Sequence, residues 1–223
     1  MKKLLLIALL LLFVGGCQSS KTTMRQSGFL TDYSRLAPHE SIEADAGLIW
    51  VAEDFAPAQY SGFMVDPVQL WLPEDYDQDV TIEELQALTV YFHDVLIKAL
   101  EDRYRVVQEP APGVLRIRSA ITNVEPSSPG ADIASSLVPV GILISLGKQA
   151  ATGRATGVGE ASIEVEFLDA ISGRSLAAYQ GVRYGEKYDG GGTDEMNDAQ
   201  HALQVWAAKL REYFDTFHDL EQQ

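Results

Sequence analysis

The stretch SIEVEFLDAISGRSLAAYQG, residues 162–181, decides the fold because it has the pattern of a β-hairpin. Its first half alternates apolar with polar side chains: Ile163, Val165 and Phe167 against Ser162, Glu164 and Glu166. Such alternation is typical of a strand with one apolar face. DAISGR is predicted to form the turn, where Gly173 suits a positive φ. The return strand is predicted to place these residues on one face: Leu176, Ala178, Val182 and Tyr184.

Other strand candidates flank this hairpin, which is predicted within residues 158–184. They lie at residues 47–55, 63–72, 103–108 and 114–124. In the second, Pro67 indicates an edge position or a bulge because proline cannot donate to the ladder. The last predicts a half-buried strand with one solvent-facing side, since these two sets alternate: Leu115, Ile117, Ser119 and Ile121 against Arg116, Arg118, Ala120 and Thr122.

Two amphipathic helices complete the pattern. Thr81 and Glu84 have capping-box spacing, and the helix that they begin should end near Asp102. Its apolar stripe is predicted to comprise Ile82, Leu85, Leu88, Phe92, Val95 or Leu96, and Ala99. The second helix is predicted to begin at Thr193 and to bury Met196, Ala199, Leu203, Trp206, Leu210, Phe214 and Phe217.

The order of these elements predicts one α+β domain over residues 27–223. Hairpins with helices between them favour a mixed or antiparallel sheet with the helices packed on one face, which is a two-layer architecture. The 207 residues that follow position 16 are enough for one substantial core.

The N-terminus has the layout of a secretory signal peptide over residues 1–16. Lys2 and Lys3 precede an apolar run, and Gly15 and Gly16 precede Cys17, the only cysteine. The apolar run is too short for a permanent membrane helix, which needs about 20 apolar residues. VGGC, residues 14–17, resembles the bacterial lipobox, in which a diacylglyceryl group is attached to the cysteine thiol. This resemblance predicts Cys17 as the lipid attachment site.

The residues after Cys17 predict a tether and a destination. Residues 17–26 are polar beyond the cysteine and indicate a lipidated, flexible tether. In the sorting rule known for bacterial lipoproteins, Asp after the cysteine retains the protein in the inner membrane. This chain has Gln18, so the resemblance implies the outer membrane, on its periplasmic face. SGFLTDYSRLAP, residues 27–38, has large apolar side chains that are expected to pack onto the domain.

Charge excludes one class of partner. Removing residues 1–16 takes away two lysines and no acid, so the formal net charge changes from −15 to −17. So acidic a chain is a poor candidate for nucleic-acid binding, which rewards basic surfaces. Anionic head groups would repel it, so we expect the lipid rather than the protein surface to hold it at the membrane. No cofactor is implied.

Motifs for metal and phosphate chemistry are incomplete. Asp75, Asp77 and Asp79 have the spacing that opens a calcium-binding EF-hand loop, but Val80 and Gln86 replace its glycine and glutamate. A solvated acidic loop is the better interpretation. Residues 141–149 lack the phosphate-loop spacing, and residues 190–195 favour an ordinary glycine-rich loop. No two of the four histidines have metalloprotease spacing: His39, His93, His201 and His218.

One segment has two interpretations. IASSLVPVGILISLG, residues 133–147, has no charge and is too short to span a bilayer as a helix. It either covers one face of the sheet as core or forms an exposed apolar patch for a partner or the membrane.

The lipobox, SGFLTDYSRLAP and SIEVEFLDAISGRSLAAYQG together resemble the family called domain of unknown function 3313. That family consists of bacterial lipoproteins. The resemblance implies a compartment and a two-layer fold, and it supplies neither an activity nor catalytic residues.

These observations predict a non-catalytic binding module, anchored in the outer membrane and facing the periplasm. An envelope protein is its expected partner, bound at the sheet edge near Pro67 or at residues 133–147. The alternative is an envelope enzyme or a small-ligand carrier with an unrecognised pocket. A buried cavity with converging polar groups favours that alternative, and a flat apolar patch favours the binding module.

Overall fold

A computed structural model describes residues 24–38, 46–74, 76, 80–125, 160–184 and 197–220. Within these ranges it has eight strands and two α-helices. The strands are β1 Ala37–Pro38, β2 Ala46–Val51, β3 Gly62–Val65, β4 Gln69–Leu70, β5 Arg105–Val106, β6 Val114–Glu125, β7 Glu160–Asp169 and β8 Ser175–Tyr184. The helices are α1 Ile82–Glu101 and α2 Asn197–Leu220, and Pro57–Gln59 forms a short 3-10 helix.

All eight strands belong to one mixed sheet with the order β1-β2-β8-β7-β6-β3-β5. The hairpin β7–β8 lies at its centre, and β4 pairs with β6 beside β3. Neighbouring strands from β1 to β6 along this order are antiparallel, whereas β3 and β4 run parallel to β6. Both helices contact the sheet through the main apolar core, which confirms the predicted α+β domain.

The structure of the hairpin confirms the predicted turn, but it changes which residues of the return strand share a face. Asp169 Oδ1 accepts hydrogen bonds of 2.8 Å from the backbone N–H and the hydroxyl of Ser172, and Gly173 has a φ of 69°. A register shift follows, because Phe167 pairs with Ala177 but Leu168 pairs with Ser175. Grouping Leu176 with Ala178 was therefore wrong, since a one-residue shift moves Leu176 to the helix side.

The predicted strand over residues 63–72 is two short strands. The strand is interrupted at Pro67, between β3 and β4, and each of these short strands pairs with β6. Before the break, Asp66 donates its backbone N–H to Ile117 and accepts a hydrogen bond of 2.7 Å from the Arg116 guanidinium. Pro67 is exposed, as expected for a residue without a backbone N–H to pair.

Helix α1 begins as predicted. The Thr81 backbone N–H donates to Glu84 Oε2 at 2.8 Å, and the Glu84 N–H donates to Thr81 Oγ1 at 3.3 Å. The helix ends at its cap, Asp102. Its buried residues are Leu85, Leu88, Phe92, Leu96 and Leu100. Including Ile82 in the stripe was wrong, because this first-turn side chain lies outside the sheet contact and is 50% exposed.

Helix α2 packs beside α1 and against the hairpin. Its buried residues are Ala199, Ala202, Leu203, Trp206, Ala207 and Phe214. The Trp206 indole N–H donates to the Tyr179 hydroxyl at 3.1 Å, and Phe214 meets the edge of Phe63. The predicted start at Thr193 lies outside the described residues, as does Met196. Among the helices described, neither is long and apolar enough to cross a membrane.

Candidate functional site

The sheet face that points away from the helices is covered by the chain's own N-terminus. Residues 25–36, called the N-terminal segment below, lie across β6, β7 and β8, and their Phe29 and Leu30 are each only 4% exposed. They bury Ala120 and Ala178 beneath them. This confirms that residues 27–38 pack onto the domain. It also shows that the predicted solvent-facing side of strand 114–124 was wrong in part, because a distant segment covers it.

The N-terminal segment is a compact turn. Gly28 has a φ of 94°, which favours glycine. Asp32 Oδ1 accepts hydrogen bonds from the backbone N–H of Ser34 at 2.9 Å and from its hydroxyl at 2.6 Å. These bonds lower the pKa of Asp32, and Arg35 adds to the effect. The Leu36 N–H closes the turn on the Tyr33 carbonyl at 3.2 Å.

A buried carboxylate, Glu164 on β7, binds this turn. Its side chain is 0% exposed. It accepts hydrogen bonds from the Ser27 hydroxyl at 2.7 Å, the Ser27 backbone N–H at 3.2 Å and the Tyr33 hydroxyl at 2.6 Å. Gln180 Nε2 on β8 adds a fourth bond at 3.0 Å. Burial of a charge is costly unless it is hydrogen-bonded, so these four donors stabilise the carboxylate in place.

Tyr33 links the turn to Glu164. Its hydroxyl donates to the carboxylate and accepts the backbone N–H groups of Gly28 at 2.8 Å and Leu30 at 3.2 Å. Burial raises the pKa of Tyr33, and the hydrogen bond to Glu164 raises it further. The phenol therefore stays protonated and able to donate at any physiological pH.

A second buried carboxylate, Glu166, is 1% exposed and lies two residues along the same face. It accepts hydrogen bonds from Arg118 Nη1 at 2.9 Å and from the Thr31 hydroxyl at 3.1 Å. The Arg118 guanidinium also lies over the Phe29 ring, 5.0 Å from its centroid. One cation thus pairs with the sheet carboxylate and contacts the apolar part of the segment.

Aromatic side chains border the bound segment on two sides. The Trp71 indole N–H donates to the Ser27 carbonyl at 3.0 Å, and its ring meets Phe29 edge to face at 5.8 Å. The Arg35 guanidinium lies 4.7 Å from the Trp50 ring centroid. At the start of the segment, Gln180 Nε2 donates to the Arg25 carbonyl at 2.7 Å. The sheet therefore contacts backbone, hydroxyl, apolar and cationic groups of this peptide.

The arrangement has the chemistry of a peptide-binding site. Polar side chains buried in a sheet bind main-chain groups, while small side chains leave room for apolar residues of the peptide. Sequence reasoning assigned Glu164 and Glu166 to the polar side of a strand and missed their role. The available signal was the apolar pair Phe29 and Leu30 in a segment placed next to a polar tether.

Most of the other predicted sites fall in parts of the chain that the structure does not describe. Cys17, His39, Asp75, Asp77, Asp79, residues 133–147 and residues 190–195 lie outside the described residues. His93 Nε2 is 3.4 Å from the Val65 carbonyl oxygen, and His201 is exposed on α2. The backbone of His218 continues α2, and its side chain is outside the description. Within the described part of the chain, no three His, Cys, Asp or Glu side chains form a metal-binding group.

Two solved structures are similar to the chain at low sequence identity. The PelC dodecamer from Paraburkholderia phytofirmans is 12% identical with a TM-score of 0.42, and covers 73% of this chain and 94% of that one. Protein XCC0632 from Xanthomonas campestris is 10% identical with a TM-score of 0.43, and covers 78% and 94% respectively. These TM-scores are too low to support an argument about this chain.

Sequence relatives are more informative. The uncharacterized lipoprotein YdcL of Escherichia coli K12 is 29% identical over 180 residues, which cover 80% of this chain and 79% of the relative. The model of the family described as protein of unknown function (DUF3313) matches residues 25–210. The match begins at Arg25, whose carbonyl accepts the hydrogen bond from Gln180. The chain is a bacterial lipoprotein that belongs to the DUF3313 family.

Proposed function

We propose that this lipoprotein is anchored in the outer membrane through acyl chains on Cys17 and faces the periplasm as a non-catalytic binding module. The relative YdcL is a lipoprotein, and the resemblance of residues 14–17 to the lipobox supports Cys17 as the modified residue. Gln18 in place of Asp supports export to the outer membrane. Stable anchoring needs more than one acyl chain, a requirement that the three chains of a mature lipoprotein meet.

One observation carries the proposal: the domain binds its own N-terminal segment directly after the lipid anchor. The contacts begin at Arg25, inside the stretch 17–26 predicted as tether and eight residues after Cys17. An extended chain covers at most about 3.5 Å per residue, so the anchor lies at most roughly 28 Å of chain from the sheet contact. This geometry suits a module that works close to the membrane surface.

A binding role also agrees with how the polar groups of this face are used. Glu164, Glu166, Arg118 and Gln180 are all engaged by the N-terminal segment or by one another. Ordinary acid–base chemistry on a substrate needs such groups to be accessible. No specific observation in the described residues favours the enzyme or the small-ligand carrier.

Cell fractionation tests the anchor and its destination. Wild-type protein should sediment with outer membranes, Cys17→Ser should remain unprocessed and without lipid, and Gln18→Asp should move to the inner membrane. Mass spectrometry of the mature wild type should find acyl groups on Cys17. An unmodified Cys17, or wild-type protein in the inner membrane, contradicts the proposal.

Crosslinking in intact cells tests the binding role. A photoreactive residue is placed at exposed Gln69, beside Pro67, or at Leu143 within residues 133–147. Exposed Val90 on α1 is the control position. We expect a discrete adduct with one envelope protein from Gln69 or Leu143 and none from Val90. Equal adducts from all three positions, or none, contradict a specific binding module.

A further inference from the structure

The N-terminal segment is bound to the sheet as a ligand is bound, through side chains. Among the described residues, no backbone–backbone hydrogen bond joins residues 26–36 to the sheet, and β1 starts only at Ala37. Instead, Glu164 and Glu166 accept hydrogen bonds from hydroxyl groups of the segment. Gln180 and Trp71 donate to two of its carbonyl oxygens. Units held in this way open locally at lower free energy than strands within a ladder.

The face beneath the segment has the parts of a specific site. Glu164 is 0% exposed and binds both the backbone N–H and the hydroxyl of Ser27. Gln180 is 4% exposed and bridges Glu164 to the Arg25 carbonyl. Ala120 and Ala178 have small side chains, and the apolar pair Phe29 and Leu30 packs against them.

The bound peptide has matching features. The pair Ser27-Gly28 forms a turn that directs a hydroxyl and an N–H at Glu164, and Tyr33 adds a second hydroxyl. The apolar pair lies between them. The recognised pattern is therefore Ser-Gly, two apolar residues, Thr-Asp and Tyr, in which Thr31 donates to Glu166 and Asp32 caps the turn.

We propose that this face is a reversible peptide-binding site whose ligand is the chain's own residues 25–36. The attached ligand has an effective concentration of about millimolar or more, so it keeps the site occupied in the wild-type protein. In a variant whose own segment binds weakly, the site becomes accessible. It can then bind the same peptide when that peptide is added as a separate molecule. Binding of the segment does not depend on the partner in the proposed function, whereas its effect on the reach of the domain rests on the lipid anchor proposed at Cys17.

Occupancy of the site sets how far the domain can move from its anchor. With the segment bound, eight residues connect Cys17 to the sheet contact at Arg25, or at most roughly 28 Å. With the segment released, twenty residues connect Cys17 to β1, or at most roughly 70 Å. Exchange of the segment therefore changes the reach of the domain without unfolding it.

Fluorescence anisotropy with a dye-labelled peptide of residues 24–36 tests the site. The full mature chain in detergent is compared with its variant Ser27→Ala/Tyr33→Phe, which loses the ligand's hydroxyls but keeps the site. We expect saturable one-to-one binding to the variant, and at least tenfold weaker binding to the wild type. Adding Glu164→Gln to the variant should weaken binding at least tenfold. A peptide with the same Ser→Ala and Tyr→Phe changes should not bind.

Tyr60→Phe is the matched control because it also removes a phenol that donates to a carboxylate, Asp169, at 3.2 Å. It should bind no more peptide than the wild type does. Hydrogen exchange of residues 25–36 should be faster in the double variant than in the wild type. Unchanged exchange, absence of peptide binding, or binding that Glu164→Gln leaves intact overturns the proposal. If the double variant does not fold, Tyr33→Phe alone is used, and absence of binding there has the same meaning.

Discussion

The two faces of the sheet are buried by different means. The helix side is covered by α1 and α2, with large apolar side chains such as Phe63, Phe92 and Phe214. The opposite side is covered by the twelve-residue N-terminal segment, with buried carboxylates beneath it. Apolar burial is non-directional and tolerates many partners, whereas a buried carboxylate needs donors at fixed positions. We therefore expect the helix side to provide most of the stability, and the other side to fix the position of the N-terminal segment.

The largest loss of stability is expected when a core side chain on the helix side is truncated. Trp206→Ala removes a buried indole that is 6% exposed and its hydrogen bond to Tyr179. Truncations of this kind cost about 3–5 kcal/mol. Chemical denaturation should show the loss, and Val90→Ala on the exposed side of α1 should differ little from the wild type. A Trp206→Ala midpoint near that of the wild type would falsify the core assignment.

A smaller loss of stability, confined to the face that the N-terminal segment covers, is expected next. Glu164→Ala leaves the Ser27 and Tyr33 donors without their acceptor, and we expect a loss of about 2 kcal/mol. Hydrogen exchange should accelerate in residues 25–36 while α1 and α2 keep their protection. Glu83→Ala, on the exposed first turn of α1, is the control. Equal loss of protection in both layers would show that the two faces unfold as one unit.

The sequence predicted the helix side better than the other side. The residues that α1 buries recur within one continuous segment. Periodicity therefore identifies Leu85, Leu88 and Phe92 without knowledge of the rest of the fold. Ser27 and Glu164 are 137 residues apart, and no local pattern joins them. Glu164 therefore had the pattern of an ordinary solvent-facing strand residue. Its burial depends on a segment that only the folded chain brings near.

Irregularities in the strands were also beyond periodicity. The bulge at Leu176 changes its face because the side-chain period of a strand is two. The break at Pro67 was anticipated from the missing N–H, but its consequence, two short strands beside β6, was not. Each case depends on how a neighbouring strand pairs, and the local sequence pattern does not reveal that pairing.

The attachment of α2 to the residues that follow α1 should depend on pH. Asp215 on α2 accepts hydrogen bonds from Tyr104 at 2.7 Å and from Arg211 at 2.6 Å. Burial disfavours the charged form, but these two bonds together with the positive charges of Arg211 and Arg103 outweigh it, so the pKa of Asp215 lies below its ordinary value of 3.8. A lowered pKa in the folded state contributes stability above about pH 4, which is lost as the pH falls through the folded value.

Asp215→Asn tests this contribution. At pH 7 the variant should be about 1.5 kcal/mol less stable than the wild type, because charge-assisted hydrogen bonds are lost. The difference in denaturation midpoint should shrink as the pH falls below the ordinary value of 3.8. Val90→Ala, which removes no titratable group, should show no such trend. A difference that stays constant down to pH 2.5 would contradict the assigned role of Asp215.

The smallest predicted effect is a gain in folding stability rather than a loss. It comes from comparing a serine on each face of the sheet. Ser119 on β6 is 1% exposed and lies between Ile117 and Ile121 of the main core. Its hydroxyl has no hydrogen-bond partner among the residues that the structure describes. An unsatisfied buried hydroxyl is destabilising, so Ser119→Ala should stabilise the protein by about 1 kcal/mol. Ser27→Ala removes the same atom where it donates to Glu164 at 2.7 Å, and it should destabilise. Denaturation midpoints that move in opposite directions support the contrast between an apolar face and a specific one. A loss of stability in Ser119→Ala would mean that this hydroxyl has a partner in solution and that the helix side also depends on directed polar contacts.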